Sequence, residues 1–393
     1  MNKENFDMLF ELIRRAITGA PLSESVKKQI NSEAKKTIYD ISRSHDMAHV
    51  VAAELEAQGL LPSAGDEIGD KLRKQQMLAI FRYERTNYEL EEICRVFESN
   101  GIQHMPLKGS VIRRYYTEPW MRTSSDIDIL VHPEDLEKAK TVLCSELDYT
   151  RGEPNGTEYN DSMFSPSGVH LELHYETIEE GKAVNSNAVM SRVWDSAYPD
   201  GSWSYRLLAA DEVFYFYHIA HMVKHFEESG CGLRFFLDLW LLDTRVEHSK
   251  EKRDALLKEG GLLAFAESAR RLAQVWLAEG EHDDVTRLME QYVLRGGVYG
   301  VSFNKMVNDQ RKQGGKTAYA LSRIFLPYST LKSYFPVLEK HKWLYPFMQV
   351  VRWFRLLFCG GVKRSVNELV ANANVTEEQS DSAERMFRSL GLK

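Results

Sequence analysis

A six-residue segment near the middle of the chain, DIDILV at residues 126–131, constrains the fold more than any other stretch. It alternates and is rich in isoleucine and valine, which is typical of a β-strand. Because side chains two apart on a strand share a face, Asp126 and Asp128 project together while Ile127 and Ile129 face the other side. Two carboxylates this close repel each other and resist joint ionisation. A divalent cation relieves that repulsion, and oxygen ligands suit Mg²⁺, with Mn²⁺ as the alternative.

A second alternating segment supplies another acid. GVHLELHYE, at residues 168–176, places leucines on one face and Glu172 on the other, flanked there by His170 and His174. If the two strands are neighbours in one sheet, Glu172 converges with the aspartate pair. Three carboxylates in one place form a plausible site for one or two Mg²⁺ ions in phosphoryl or nucleotidyl transfer.

A glycine and a hydroxyl precede the acidic strand. Lys108, Gly109 and Ser110 lie where a short extended segment gives way to a predicted helix. Backbone N–H groups at a helix start, with a glycine that permits close approach, can cradle phosphates. Lys108 and Arg122 flank these two elements, so they are candidates for neutralising a triphosphate. A lone Asp-x-Asp is weak as a motif, and the cradle ahead of it strengthens the hypothesis.

The apolar spacing divides the chain into three parts. Residues 1–100 have helical periodicity and form a predicted N-terminal helical region. Residues 101–180 alternate strands with a helix, which predicts an α/β core with a small mixed sheet. Residues 181–393 return to helical periodicity and form a predicted C-terminal helical region. The expected fold class is therefore an α/β core embedded between helical regions, mostly helical overall.

Charge and cysteine content narrow the classes of function. The formal net charge of −7 over 393 residues argues against long nucleic acid as a partner and favours a small-molecule acceptor. The four cysteines are scattered without a Cys-x-x-Cys pair, which argues against a disulfide framework or a zinc ribbon. No signal-peptide pattern opens the chain, and no uncharged run is long enough for a transmembrane segment. We therefore predict a cytoplasmic protein.

Histidines in the C-terminal region raise an alternative metal site. His218, His221 and His225 share one face of a predicted helix. A zinc site there would need a further ligand such as Asp238 or Glu212. We favour packing between regions, or one histidine such as His225 lining a nucleotide cleft.

An aromatic segment near the C-terminus has two interpretations. Residues 343–358, WLYPFMQVVRWFRLLF, are interrupted only by Arg352 and Arg355. Aromatic residues mixed with arginine suit a helix at a membrane surface. A broad apolar stripe normally faces a protein core, so we expect this helix to pack on the body of the molecule.

The pattern LKGS, then RTSSDIDILV, then PEDLEKAKTVL resembles the nucleotidyltransferase superfamily that includes DNA polymerase β and the aminoglycoside nucleotidyltransferases. It is more similar to the uncharacterised bacterial nucleotidyltransferases marked by LKG, R…SDIDLLV and a later DLHW-like strand. The similarity covers about residues 100–245. A later segment, HMVKHFEESGCGLRFFLDLWLL, carries the histidine, basic residue and aspartate of that family as His225, Arg234 and Asp238.

The resemblance assigns roles to these residues. It implies that Gly109 and Ser110 hold the nucleotide phosphates and that Asp126 and Asp128 hold Mg²⁺. Glu172 takes the place of the family's third acid, where aspartate is usual.

His174 takes the place of the family's histidine. The implied reaction is transfer of a nucleoside monophosphate from an NTP to an acceptor, with release of pyrophosphate. A non-catalytic nucleotide-binding or regulatory module on the same fold is the alternative.

Overall fold

The computed structural model describes the chain apart from residues 1–2, 20, 154–158, 178–184, 279, 297–301, 359–368, 371 and 393. The described part is mostly helical and contains a five-stranded mixed sheet between two sets of helices. This architecture confirms the predicted fold class.

Helices alone make up the N-terminal part of the described chain. In order they are α1 (Lys3–Thr18), α2 (Glu24–Gln29), α3 (Ser32–Ser44), α4 (Ala48–Ala57) and α5 (Glu67–Ser99). The longest, α5, is capped at its N-terminus by Asp66, whose carboxylate accepts a hydrogen bond from the Gly69 N–H at 2.8 Å. Its C-terminal half buries Leu90, Ile93 and Phe97 against the sheet.

The sheet and its short helices occupy the middle of the chain. The strands are β1 (His104–Pro106), β2 (Asp126–Val131), β3 (Thr150–Arg151), β4 (Asn160–Phe164) and β5 (His170–His174). The helices between them are α6 (Gly109–Ile112) and α7 (Leu136–Glu146). The strand order is β1-β2-β5-β4-β3, and only the central β2–β5 pair is parallel.

The two faces of the sheet have different surroundings. Ile127, Ile129, Leu171 and Leu173 are fully buried on the face that α5 and α7 cover. Because strand side chains alternate, the acidic residues of β2 and β5 emerge on the opposite face. Apolar burial on one face therefore sets the orientation of the polar face.

Helices follow the sheet, apart from a two-stranded ribbon of β6 (Tyr198–Pro199) and β7 (Leu207–Leu208). The first helices are α8 (Ser186–Met190), α9 (Asp211–Glu228), α10 (Leu233–Arg245), α11 (Lys250–Glu259), α12 (Leu263–Leu277) and α13 (Asp284–Gly296). The remaining described helices with assigned bounds are α14 (Ser302–Gln313), α15 (Lys316–Ile324), α16 (Tyr328–Tyr334), α17 (Val337–Lys340), α18 (Tyr345–Phe358) and α19 (Glu377–Ser389).

The first and last helical parts share one hydrophobic core. Phe10 of α1 stacks on Trp276 of α12 with ring centroids 4.8 Å apart, and Phe236 of α10 meets the same indole edge-on. The division into three parts stays a prediction. Among the described residues, none of the helices combines the length and the apolarity that crossing a bilayer demands.

Candidate active site

The turn from β1 into α6 brings Lys108 over the acidic strand. Lys108 has φ of 48°, a conformation that non-glycine residues seldom adopt. The Leu107 N–H donates to the Asp128 carbonyl at 3.0 Å, which ties this turn to β2. As a result, Lys108 Nζ lies 2.6 Å from Asp128 Oδ1 and 3.7 Å from Glu172 Oε2.

The structure places Glu172 close to each of the two aspartates. β2 and β5 run side by side, and their register places Asp128 opposite Glu172 and Asp126 opposite His170. Potential ligand atoms of Asp126, His170 and Glu172 lie within 4.8 Å of one another, and so do those of Asp128, Glu172 and His174. These overlapping sets could hold a metal ion, with Glu172 common to both.

Neighbouring groups keep the buried Asp128 and the half-buried Glu172 ionised. Burial by itself raises the pKa of Asp128, but Lys108 and a hydrogen bond from His174 lower it, so the net pKa lies below its ordinary value. The pKa of Glu172 is lowered to about 2, chiefly because of its hydrogen bond with His174. Burial acts in the opposite direction and raises this pKa. His174 Nε2 lies 2.9 Å from Asp128 Oδ1 and 3.4 Å from Glu172 Oε2. Both carboxylates are therefore charged at neutral pH.

Arg122 lines the cleft, and an ion pair with Asp238 holds its guanidinium in place. Its Nε lies 2.9 Å from both carboxylate oxygens of Asp238, and the Tyr116 hydroxyl donates to the same group at 2.7 Å. Burial lowers the pKa of Arg122, yet Asp238 outweighs burial and leaves it raised. The guanidinium is thus a fixed positive charge at the cleft wall.

Gly109 and Ser110 occupy different positions relative to the cleft. A Cβ on Gly109 would stand 3.2 Å from Arg122 Nη1 and 3.4 Å from Ser124 Oγ, so the glycine allows Arg122 to approach the turn. Ser110 is buried, and its hydroxyl has no hydrogen-bond partner within the described part of the chain. The Ser110 N–H donates to the Leu107 carbonyl at 3.1 Å, inside the turn itself.

Helices α9 and α10 form the opposite wall. His218 Nε2 lies 3.0 Å from the Phe235 carbonyl, and the Nε2 atoms of His221 and His225 lie 3.1 Å apart. Burial lowers the pKa of all three histidines, that of His225 to about 4, so they are neutral at pH 7. In the described ranges, the sets of three or more possible metal ligands contain only residues of β2 and β5. The zinc alternative on α9 therefore lacks a ligand set.

Several residues near the cleft carry no sequence signal of their own. Lys224 Nζ lies 4.7 Å from the centroid of the Tyr159 ring, and both side chains line the cleft. The Asn160 amide donates to Glu172 Oε2 at 3.1 Å. Asn160 stands beside Glu172 only because β4 pairs with β5, and neither strand's local pattern reveals that pairing.

An aspartate from the N-terminal part also reaches the cleft wall. Asp46 lies in the turn before α4 and has a positive φ. Its carboxylate accepts a hydrogen bond from the Thr123 hydroxyl at 2.7 Å and lies 3.5 Å from Arg234 Nη1. The segment ahead of β2 is thereby tied to helices on both sides of it.

The comparisons with known proteins bear on this site. The model of a family described as "Uncharacterised nucleotidyltransferase" matches residues 31–278, which is more than half of the chain and includes every residue of the cleft described above. No curated protein and no solved structure matches the chain. With a match of this extent, the chain belongs to the family of uncharacterised nucleotidyltransferases.

Proposed function

We propose that this protein is a Mg²⁺-dependent nucleotidyltransferase that moves a nucleoside monophosphate from an NTP to an acceptor hydroxyl or phosphate and releases pyrophosphate. The observation that carries the proposal is the parallel pairing of β2 and β5. That pairing sets Asp126, Asp128 and Glu172 together at a cleft whose walls also present Lys108 and Arg122. Acids for a metal and fixed cations for phosphates are the two requirements of this chemistry.

The donor set fits a hard divalent cation. Asp126, Asp128 and Glu172 would hold Mg²⁺, or Mn²⁺ in its place, through carboxylate oxygens. The ammonium of Lys108, 2.6 Å from Asp128 and 3.7 Å from Glu172, indicates that these oxygens accommodate a positive charge between them. The bound ion would supply charge neutralisation at the phosphates.

The protein's own groups have separable tasks. A pKa of about 2 makes Glu172 a weak base, so a ligand role suits it better than removal of the acceptor's proton. Lys108 and Arg122 would attract the triphosphate and orient it. Gly109 would let the phosphates and Arg122 approach the turn closely, whereas the buried Ser110 hydroxyl would take no direct part in that approach.

One observation favours a second candidate, a nucleotide-binding or regulatory module without catalysis. Lys108 already neutralises Asp128 and contacts Glu172, so this pair has a partner in the absence of a metal. A module of that kind would bind an NTP equally well with and without Mg²⁺. Calorimetric titration of each NTP in the presence and absence of Mg²⁺ separates the two candidates.

Turnover is tested with NTPs labelled at the α-phosphate. Each of the four nucleotides is incubated with the full chain and with small-molecule, RNA or protein acceptors, and label transfer and pyrophosphate are measured. We expect Mg²⁺-dependent transfer that Asp126→Asn and Asp128→Asn each reduce by about a hundredfold or more.

Asp161→Asn is the matched control. Asp161 lies on β4 with its carboxylate 2.6 Å from Lys140 of α7, on the face of the sheet away from the cleft. Its substitution should leave transfer unchanged. Full Mg²⁺-dependent turnover by the Asp128→Asn protein would contradict the proposal, and metal-independent binding without turnover would favour the regulatory module.

A further inference from the structure

A row of exposed apolar side chains runs along α18 and the turn that precedes it. Trp343 is 69% exposed and Phe358 is 82% exposed, although both are large and apolar. The exposed positions advance by three or four residues, so they form one stripe on one helix face. The members of this outer stripe are Trp343, Phe347, Val350, Phe354, Leu357 and Phe358.

The opposite face of α18 is already packed. Tyr345 and Met348 contact a small core of Leu326, Leu331 and Leu338, and the Gln349 amide donates to the Leu326 carbonyl at 2.6 Å. The inner face therefore holds α18 on its neighbours. The expected packing on the body is limited to these neighbouring helices and loops, and the outer stripe takes no part in it.

The segment around the stripe is basic, in contrast to the chain as a whole. Residues 322–358 contain six lysines and arginines but only one acid, Glu339, while the whole chain has a formal net charge of −7. Lys340, Lys342 and Arg355 are exposed beside the stripe. An apolar stripe bordered by cations is complementary to a surface that has an anionic outer layer and an apolar layer below it.

We propose that the outer stripe of α18 docks this protein on the surface of an anionic phospholipid bilayer. The aromatic and leucine side chains would enter the boundary between headgroups and acyl chains, and the neighbouring cations would contact lipid phosphates. α18 has 14 residues, fewer than the roughly 20 that a spanning helix needs, so it lies in the interface plane. This docking is independent of the chemistry in the cleft.

A second copy of the chain suits this stripe less well. Symmetric pairing of two stripes would bring Lys340, Lys342 and Arg355 of one copy close to the same cations of the other. No acid borders the stripe on α18 itself to relieve that repulsion. A self-association is therefore an alternative outcome for the experiment.

Vesicle flotation of the full chain tests the proposal. Vesicles of phosphatidylcholine alone are compared with vesicles of phosphatidylcholine and phosphatidylglycerol. We expect the protein to float with the anionic vesicles, and Phe347→Ser with Phe354→Ser to reduce the bound fraction more than about tenfold, because each buried aromatic side chain contributes at least that factor.

Phe81→Ser is the matched control, since Phe81 on α5 and Phe347 are both 60% exposed. It should leave flotation unchanged. A second variant, Lys340→Glu with Lys342→Glu, retains the stripe and should abolish the preference for anionic vesicles.

Three results would overturn the proposal. The first is no flotation with either vesicle, and the second is equal flotation of the native protein and the Phe347→Ser, Phe354→Ser variant. The third is a concentration-dependent dimer, measured by light scattering, that this variant abolishes while neither protein floats. That third result would assign the stripe to a second copy of the chain.

Discussion

Arg122 and Asp238 form a buried ion pair between residues 116 positions apart in the chain, with Arg122 Nε 2.9 Å from each carboxylate oxygen. Asp238 belongs to α10, and Arg122 lies just ahead of β2. The pair therefore clamps the helical wall of the cleft to the segment that leads into Asp126. Tyr116 completes the arrangement by donating its hydroxyl hydrogen to Asp238 at 2.7 Å.

Removing Asp238 should destabilise the fold strongly. Asp238→Ala leaves the buried guanidinium of Arg122 without its partner, and we expect the free energy of unfolding in urea to fall by about 3–5 kcal/mol. Tyr116→Phe removes a single hydrogen bond to the same carboxylate, so it should cost about 1.5–3 kcal/mol. A loss in Asp238→Ala no larger than that in Tyr116→Phe would show that the ion pair contributes little.

Adding one methyl group at Gly109 should disturb the cleft. The new Cβ of Gly109→Ala would press on Arg122 Nη1 and Ser124 Oγ, so Arg122 must shift. We expect a loss of about 1–3 kcal/mol in stability and weaker NTP binding by calorimetry.

Ser110→Ala is the neighbouring control. Because the Ser110 hydroxyl is buried without a partner in the described part of the chain, its removal should change stability by no more than about 0.5 kcal/mol. Native NTP affinity in Gly109→Ala would show that close approach at this turn is dispensable.

Two substitutions around Glu172 test its place as the third metal ligand. Asn160→Ala removes the amide that donates to Glu172, and we expect it to weaken Mn²⁺ affinity about 10–100-fold. Glu172→Gln removes the charged ligand itself, so its effect should be larger. Electron paramagnetic resonance of free Mn²⁺ measures both affinities without turnover. The reverse order of effects would exclude Glu172 as a direct ligand.

Stability should fall as the pH drops below about 6.5. Burial lowers the pKa of His45 and of His104 to about 4, with backbone hydrogen bonds partly offsetting it. Between pH 6.5 and 4 the unfolded chain therefore binds more protons than the folded one, and stability is lost at up to about 1.4 kcal/mol per pH unit for each histidine.

Urea unfolding measured from neutral pH down to about 5 records this slope. His104→Leu should flatten the slope whatever its effect on stability at neutral pH, because leucine does not titrate. An unchanged slope would mean that His104 is not the group responsible.

Local periodicity determined much of the candidate site. Alternation in residues 126–131 and 168–176 predicts which faces carry Asp126, Asp128 and Glu172, because a period of two is a property of each strand alone. The order of helical and α/β segments follows from apolar spacing in the same way. These features depend only on residues that are close together in the sequence.

Only the tertiary structure determined which residues of distant elements lie side by side in the site. The parallel pairing of β2 with β5 sets Glu172 beside Asp128, and Asp238 reaches Arg122 from α10, because contacts across such separations depend on how the elements pack. The direction of the Ser110 hydroxyl into the interior has the same origin. On α18, one apolar face packs against a small core and the other is exposed to solvent. The sequence alone shows a broad apolar stripe there, but only packing determines which part of it is buried.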